Sequence, residues 1–124
     1  MTGSRRLDVE HLQQRLREFT AQREWSRFHS PKNLAMALAA EVGELLELLQ
    51  WLTEEESRDL SAEDRLLVRH EMADIQIYLL RLADVLGVSL PDAVDEKIAL
   101  NEERYPVSTS RGDATKYSRK LDRE

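Results

Sequence analysis

No cysteine occurs among the 124 residues. That removes a disulfide framework, a thiolate nucleophile and any sulfur-ligated zinc or iron–sulfur site. Long apolar runs are missing too, and no segment approaches the roughly 20 apolar residues of a membrane-spanning helix. The opening Met1-Thr2-Gly3-Ser4-Arg5-Arg6 leads into mixed polar and apolar sequence without the apolar stretch of a signal peptide. The expectation is a soluble, cytoplasmic protein with no membrane partner. Positive charge is in deficit: 18 Lys and Arg against 24 Asp and Glu leave a net charge of -6. Non-specific binding to a nucleic-acid polymer depends on cations that neutralise phosphates, so such a polymer is not an expected partner. No Ser–His–Asp arrangement, glycine-rich phosphate loop or His-based zinc motif is evident.

What is present reads as one helical protein. An apolar fraction of 41% and a charged fraction of 34% fit a folded domain with a heavily solvated surface. Val9, Leu12, Leu16 and Phe19 recur at helical spacing between Asp8, a capping residue, and about Trp25. Pro31 then restarts the chain into a second helix, expected from Lys32 or Asn33 to Thr53, with Leu34, Leu38, Leu45, Leu49 and Leu52 along one stripe. The acidic run Glu54–Asp59 reads as a solvated connection. Ser61 can cap a third helix from about Ala62 to Leu86, apolar on more than one face in its second half and ended by Gly87. Ser89, Asp92 and Pro91 suit the start of a fourth, which should stop near Arg104 or Tyr105, before Pro106. The expected fold is all-α: residues 1–105 form a four-helix domain with antiparallel neighbours, and residues 106–124 form a net-positive C-terminal tail. That tail is either disordered or folds over an anionic ligand.

Two acidic pairs stand out. Glu41 and Glu44 are three residues apart, as are Glu71 and Asp74, so each pair presents two carboxylates on one helical face. Neither pair lies in a plain charged run. Glu41 follows Ala39-Ala40 beside Val42, and Asp74 stands between Ala73 and Ile75. If their helices pack at the usual 8 to 10 Å, the four groups converge and resist joint ionisation. Magnesium removes that conflict with a few protein oxygens, completing its shell with water and phosphate. Solvated faces, or pairing with Arg and Lys, are the competing reading. Glu47, one further step along, is a supporting group or an extra ligand.

An anionic ligand held with metal ions also needs cations and, for a nucleotide, flat apolar surfaces. Lys97, Asn101 and Arg104 form one polar line on the fourth helix, opposite Leu90, Val94 and Ile98. Tyr78 lies four residues after Asp74 and faces the same way. Trp25, Phe28, His29 and Trp51 supply ring surfaces and donors that suit a base, or alternatively core packing.

These motifs together resemble the MazG-like all-α nucleoside triphosphate pyrophosphohydrolases, and within them the dCTP pyrophosphatase group. The resemblance runs from about Glu18 to Lys120. It centres on Glu41-Val42-Gly43-Glu44 and Glu71-Met72-Ala73-Asp74, separated by 26 residues, and is sharpened by Arg23-Glu24-Trp25, Phe28–Asn33, Trp51, Tyr78 and Lys97–Asn101. It implies that Glu41, Glu44, Glu71 and Asp74 are catalytic and bind Mg2+. It further implies that Trp25 and Trp51 form a base pocket, with His29, Tyr78 and Asn101 as substrate contacts, Lys97 and Arg104 near phosphates, and Lys116 and Tyr117 covering a neighbouring site. The implied assembly is a homodimer or homotetramer, and the implied bundle a homo-oligomer. The implied reaction is magnesium-dependent hydrolysis of a nucleoside triphosphate, dCTP or modified dCTP, to monophosphate and pyrophosphate. Glu44, Glu41 or Glu47 would accept the water proton. Alternatives are a relative acting on dUTP or several nucleoside triphosphates, and a non-catalytic nucleotide-binding helical regulator.

Overall fold

A computed structural model describes residues 5–121. All regular structure among the described residues is helical, with no strand, and the chain divides into two compact units with the boundary between Val88 and Ser89. The four long helices expected from periodicity are present. Three short helices and one 3-10 turn join them, so the described chain holds seven α-helices rather than four.

In the first unit, α1 (Val9–Gln22) starts where the Asp8 carboxylate accepts the His11 amide at 3.0 Å. The chain then turns through Glu24, the one non-glycine described residue with positive φ, at 55°, and through a 3-10 turn at Ser26–Phe28. Helix α2 (Pro31–Leu49) begins with Ser30 capping the Asn33 amide and Pro31 in the first turn, where its missing N–H costs nothing. The Asn33 side chain donates to the Phe28 carbonyl at 3.1 Å and so ties the aromatic connector to the helix that follows it.

Helix α2 stops at Leu49, short of the expected Thr53, because Thr53 starts another helix. Its hydroxyl accepts the Glu56 amide while the Glu56 carboxylate accepts the Thr53 amide. This reciprocal capping box turns the supposed acidic connection into α3 (Glu54–Arg58). Helix α4 (Ala62–Leu86) is capped by Ser61 and ends at Gly87, whose φ of 68° is the left-handed conformation that glycine adopts without penalty.

Helix α4 packs against both α2 and α1. The tightest points are Leu34 on α2 and Leu80 on α4, each 1% exposed, with Ala83 beside them in burial. Thr20 is also buried, and its hydroxyl donates to the Leu16 carbonyl at 2.9 Å. This core is small for the apolar content of the unit. Val42, Leu46, Met72 and Ile77 remain exposed on the helices that build it.

The second unit contains α5 (Leu90–Arg104), α6 (Val107–Ser110) and α7 (Tyr117–Leu121). Ser89 caps α5, Pro91 occupies its first turn, and Tyr105 closes it one residue before Pro106. Tyr105 then anchors the following segment: its hydroxyl accepts the Tyr117 amide at 2.7 Å, and the two rings meet edge to face at 6.3 Å. No helix of the described residues is long and apolar enough to cross a membrane.

Candidate metal centre and nucleotide pocket

Gathering carboxylates from separate helices requires one helix turn to stack them and a packed interface to bring the helices together. Glu41 and Glu44 lie one turn apart on α2, and Glu71 lies on α4, the helix that α2 packs against. One oxygen from each of these three residues lies within 4.8 Å of the other two, which is the spacing of ligands around a shared cation. Asp74, one turn after Glu71, adds its negative charge to Glu41.

The electrostatics of this cluster are unfavourable without a cation. Glu41 Oε2 and Glu71 Oε2 are both buried and have no hydrogen-bond partner. Two carboxylate oxygens can share a hydrogen bond only if one of them holds a proton. The Glu41 carboxyl is accordingly raised from its ordinary 4.5 to about 7. The approach of Glu71 is the largest cause, followed by burial and by the neighbouring Glu44 and Asp74. A divalent ion reverses each of these penalties at once. The hard oxygen donors, the absence of histidine or sulfur among them and the orphaned buried oxygens fit magnesium.

Glu41 and Asp74 open onto a cavity of about 530 Å³, large enough for a nucleoside. Glu41, Asp74 and Tyr78 line it together with Trp25, His29 and Arg81. The Trp25 ring stands 6.5 Å from His29 at 57° and meets Phe19 edge to face at 5.6 Å, so the connector before α2 builds an aromatic wall. Burial, and secondarily the Arg81 charge, lowers the pKa of His29 and so favours the neutral imidazole.

Other expected site residues lie elsewhere. Trp51 falls in the turn after α2, 84% exposed and outside this cavity. Phe28 is exposed beneath the Arg27 guanidinium, 4.7 Å from its ring centre, rather than packed in a core. Glu47 is exposed and is not among the three clustered carboxylates. In the second unit Lys97, Asn101, Arg104 and Lys116 line a separate cavity of about 560 Å³. Tyr117 sits beside it in sequence, its ring 5.2 Å from the Arg104 guanidinium.

Arg81 also lines the cavity beside Glu41 and Asp74, although neither the motifs nor the resemblance point to it. Its Nε donates to His29 Nδ1 at 3.2 Å, and it is buried. The signal was available: Asp74, Tyr78 and Arg81 follow one another at offsets four and three, so the arginine continues their face through the most apolar part of α4.

Comparison with known proteins places this geometry in context. The chain is 48% identical over 103 residues to dCTP pyrophosphatase 1 of Bos taurus, and 44% identical over the same length to dCTP pyrophosphatase 1 of Homo sapiens. Each alignment covers 82% of this chain and 61% of the relative, so the chain spans less than two thirds of the length of these proteins. A crystal structure of a pyrophosphatase from Archaeoglobus fulgidus superposes with a TM-score of 0.76 at 38% identity, covering 86% of this chain and 99% of that one. The MazG-like family model matches residues 36–119, which include all four carboxylates and the cationic line of α5. With its acidic helical pairs and the all-helical fold of its described residues, the chain belongs to the MazG-like family.

Proposed function

We propose that this protein hydrolyses nucleoside triphosphates, dCTP or modified dCTP among them, to a nucleoside monophosphate and pyrophosphate, using magnesium held by Glu41, Glu44, Glu71 and Asp74. The observation that carries this reading is the pair of buried, unpartnered oxygens on Glu41 and Glu71, with Glu41 also lining a cavity walled by aromatic rings. The likeness to pyrophosphatases supports the choice of bond.

The residues divide the work by chemistry. Trp25 and His29 hold the base: one offers a ring face and the other a ring N–H. Tyr78 contacts the sugar or base edge; on α5 and the segment after it, Asn101 offers an amide, and Lys97, Arg104 and Lys116 offer cations of the kind that bind phosphate oxygens. Tyr117 orients Arg104 through its ring. Magnesium, when bound, orients the phosphate oxygens, offsets their developing charge and makes a water easier to deprotonate. A carboxylate oxygen of Glu44, the exposed member of the cluster, accepts the proton of the attacking water. The water oxygen bonds to the α-phosphorus, the bond from that phosphorus to the bridging oxygen breaks, and the pair of electrons leaves with pyrophosphate.

The assembly we favour is a homodimer or homotetramer in which residues 1–105 form the catalytic domain and the tail from residue 106 reaches a substrate or a subunit interface. Exposed Val42, Leu46, Trp51 and Met72 support association, since they leave apolar area on α2, on α4 and in the turn after α2 that a second copy can cover. In that assembly Trp51 reaches a base pocket. A cytoplasmic location accords with the cysteine-free sequence.

Phosphorus NMR of the products, with and without magnesium, across ribo- and deoxynucleoside triphosphates tests the reaction. Monophosphate plus pyrophosphate, formed only with magnesium and fastest from dCTP, is expected. The same products from another base would change the substrate and keep the chemistry. Release of orthophosphate alone would reject cleavage at the α–β bridge.

A further inference from the structure

We propose that Arg81 is a positioning residue that fixes His29 in its Nε2-protonated tautomer, so that the base cavity presents one invariant hydrogen-bond donor and selects a base edge carrying an acceptor. The inference rests on the nucleotide reading above for its ligand, and on the geometry of α4 for its mechanism.

A guanidinium is always protonated and has no acceptor. The Arg81 Nε–H directed at His29 Nδ1 at 3.2 Å therefore requires a lone pair on Nδ1. A neutral imidazole carries one proton, which must then lie on Nε2. Protonation of Nδ1 would set two donors against each other, and burial of the ring beside the arginine charge disfavours the imidazolium. His29 lines the cavity, and Nε2 is the ring nitrogen that Arg81 leaves for a ligand.

The arginine is itself fixed from behind. Its side chain is only 10% exposed, and its Nη1 lies 3.5 Å from Asp84 Oδ2. The other oxygen of Asp84 accepts Arg17 Nη1 from α1 at 2.7 Å. A buried cation with one carboxylate behind it and one imidazole before it has little freedom to turn away.

This arrangement has a consequence for base choice. Cytosine presents a bare N3 where uracil presents N3–H. A histidine free to exchange tautomers can donate to the first or accept from the second. One locked as a donor meets the uracil N3–H as donor against donor, which buried sites tolerate poorly. Arg81 thus contributes to discrimination between bases through the proton position on His29.

The test joins a spectrum with a substrate ratio. Long-range proton–nitrogen NMR of histidine-labelled protein at neutral pH reads the tautomer directly, the His29 signal being identified by its loss in His29→Gln. The Nε2–H form is expected in the unaltered protein and in Arg81→Lys, which keeps a charged donor. Arg81→Met should give mixed tautomers and lower the dCTP-to-dUTP ratio of kcat/KM by about 10-fold. Asp84→Asn, which loosens the arginine without removing it, should shift both in the same direction by less, and serves if Arg81→Met does not fold. An Nδ1–H tautomer in the unaltered protein, or an unchanged tautomer in both Arg81→Met and Asp84→Asn, would overturn the proposal, as a purely structural arginine requires. Should neither triphosphate be turned over, the proposed reaction falls, while the spectrum still decides the role of Arg81.

Discussion

The two units assemble their charged groups by different means. In the first, Glu41 and Glu71 hold oxygens out of water on α2 and α4, two helices that pack together and whose most buried residues are Leu34 and Leu80. In the second, Lys97, Arg104 and Lys116 are exposed on the surface of a single helix and the segment after it, with Tyr105 and Tyr117 as local anchors. Buried charges depend on long-range packing and respond steeply to substitution; exposed cations on flexible stems adjust and are screened by salt. The acidic cluster should therefore behave as a rigid, all-or-none element and the basic cavity as a graded one.

The largest effect should follow Glu71→Gln, which removes the charge yet keeps the shape. Turnover should fall by about 100-fold or more while circular dichroism shows the same helix content. Unchanged steady-state rates would take Glu71 out of the metal site and break the contrast between units. Lys97→Ala and Arg104→Ala should each raise KM by about 10-fold, with smaller changes in kcat and an effect that shrinks as ionic strength rises. If either abolishes turnover at saturating substrate, the basic cavity is as stringent as the acidic one.

A smaller effect concerns pH in the absence of metal. The Glu41 carboxyl sits at about 7 in the folded chain, against an ordinary 4.5, so the folded state keeps a proton that the unfolded chain releases. Its contribution is fully present below 4.5 and is lost as pH rises through about 7. Thermal melts with a chelator should show the melting temperature dropping by a few degrees across that window. The drop should flatten in Glu41→Gln and be offset by excess magnesium. A chelated protein that melts alike at both ends of the window would show that the carboxylates do not oppose one another.

The smallest test is Gly43→Ala, between the two α2 carboxylates. A Cβ there meets nothing within 4 Å, so the substitution should stabilise the isolated chain by about 1 kcal/mol through helix propensity. Destabilisation, read by denaturant melts at two protein concentrations, would indicate that a second copy covers this face.

Helix periodicity and capping made the long helices readable from sequence. Asp8, Ser61 and Ser89 all cap where an N-terminal signal stands before an apolar stripe, and Ser30 caps one residue ahead of Pro31. The convergence of Glu41, Glu44 and Glu71 was readable because turn spacing and usual helix separation already place such pairs within reach of each other. Helix α3 was not, since three successive glutamates resemble a solvated linker until Thr53 and Glu56 are seen to satisfy each other's amides. Trp51 lies in a turn rather than on α2 for the same reason, as the helix that Thr53 begins forces the preceding one to stop. The face of Arg81 is legible from its spacing after Asp74 and Tyr78, but its pairing with His29 is not, because 52 residues separate them and no local pattern links them.

The orphaned oxygens of Glu41 and Glu71 also bear on how such a protein responds to selection. Any substitution that neutralises one of them relieves repulsion in the metal-free chain, so screening for heat resistance alone would enrich variants that fold better and do nothing. Libraries built on this scaffold need an activity filter at every round, because the most accessible gains in robustness lie at the positions least able to change.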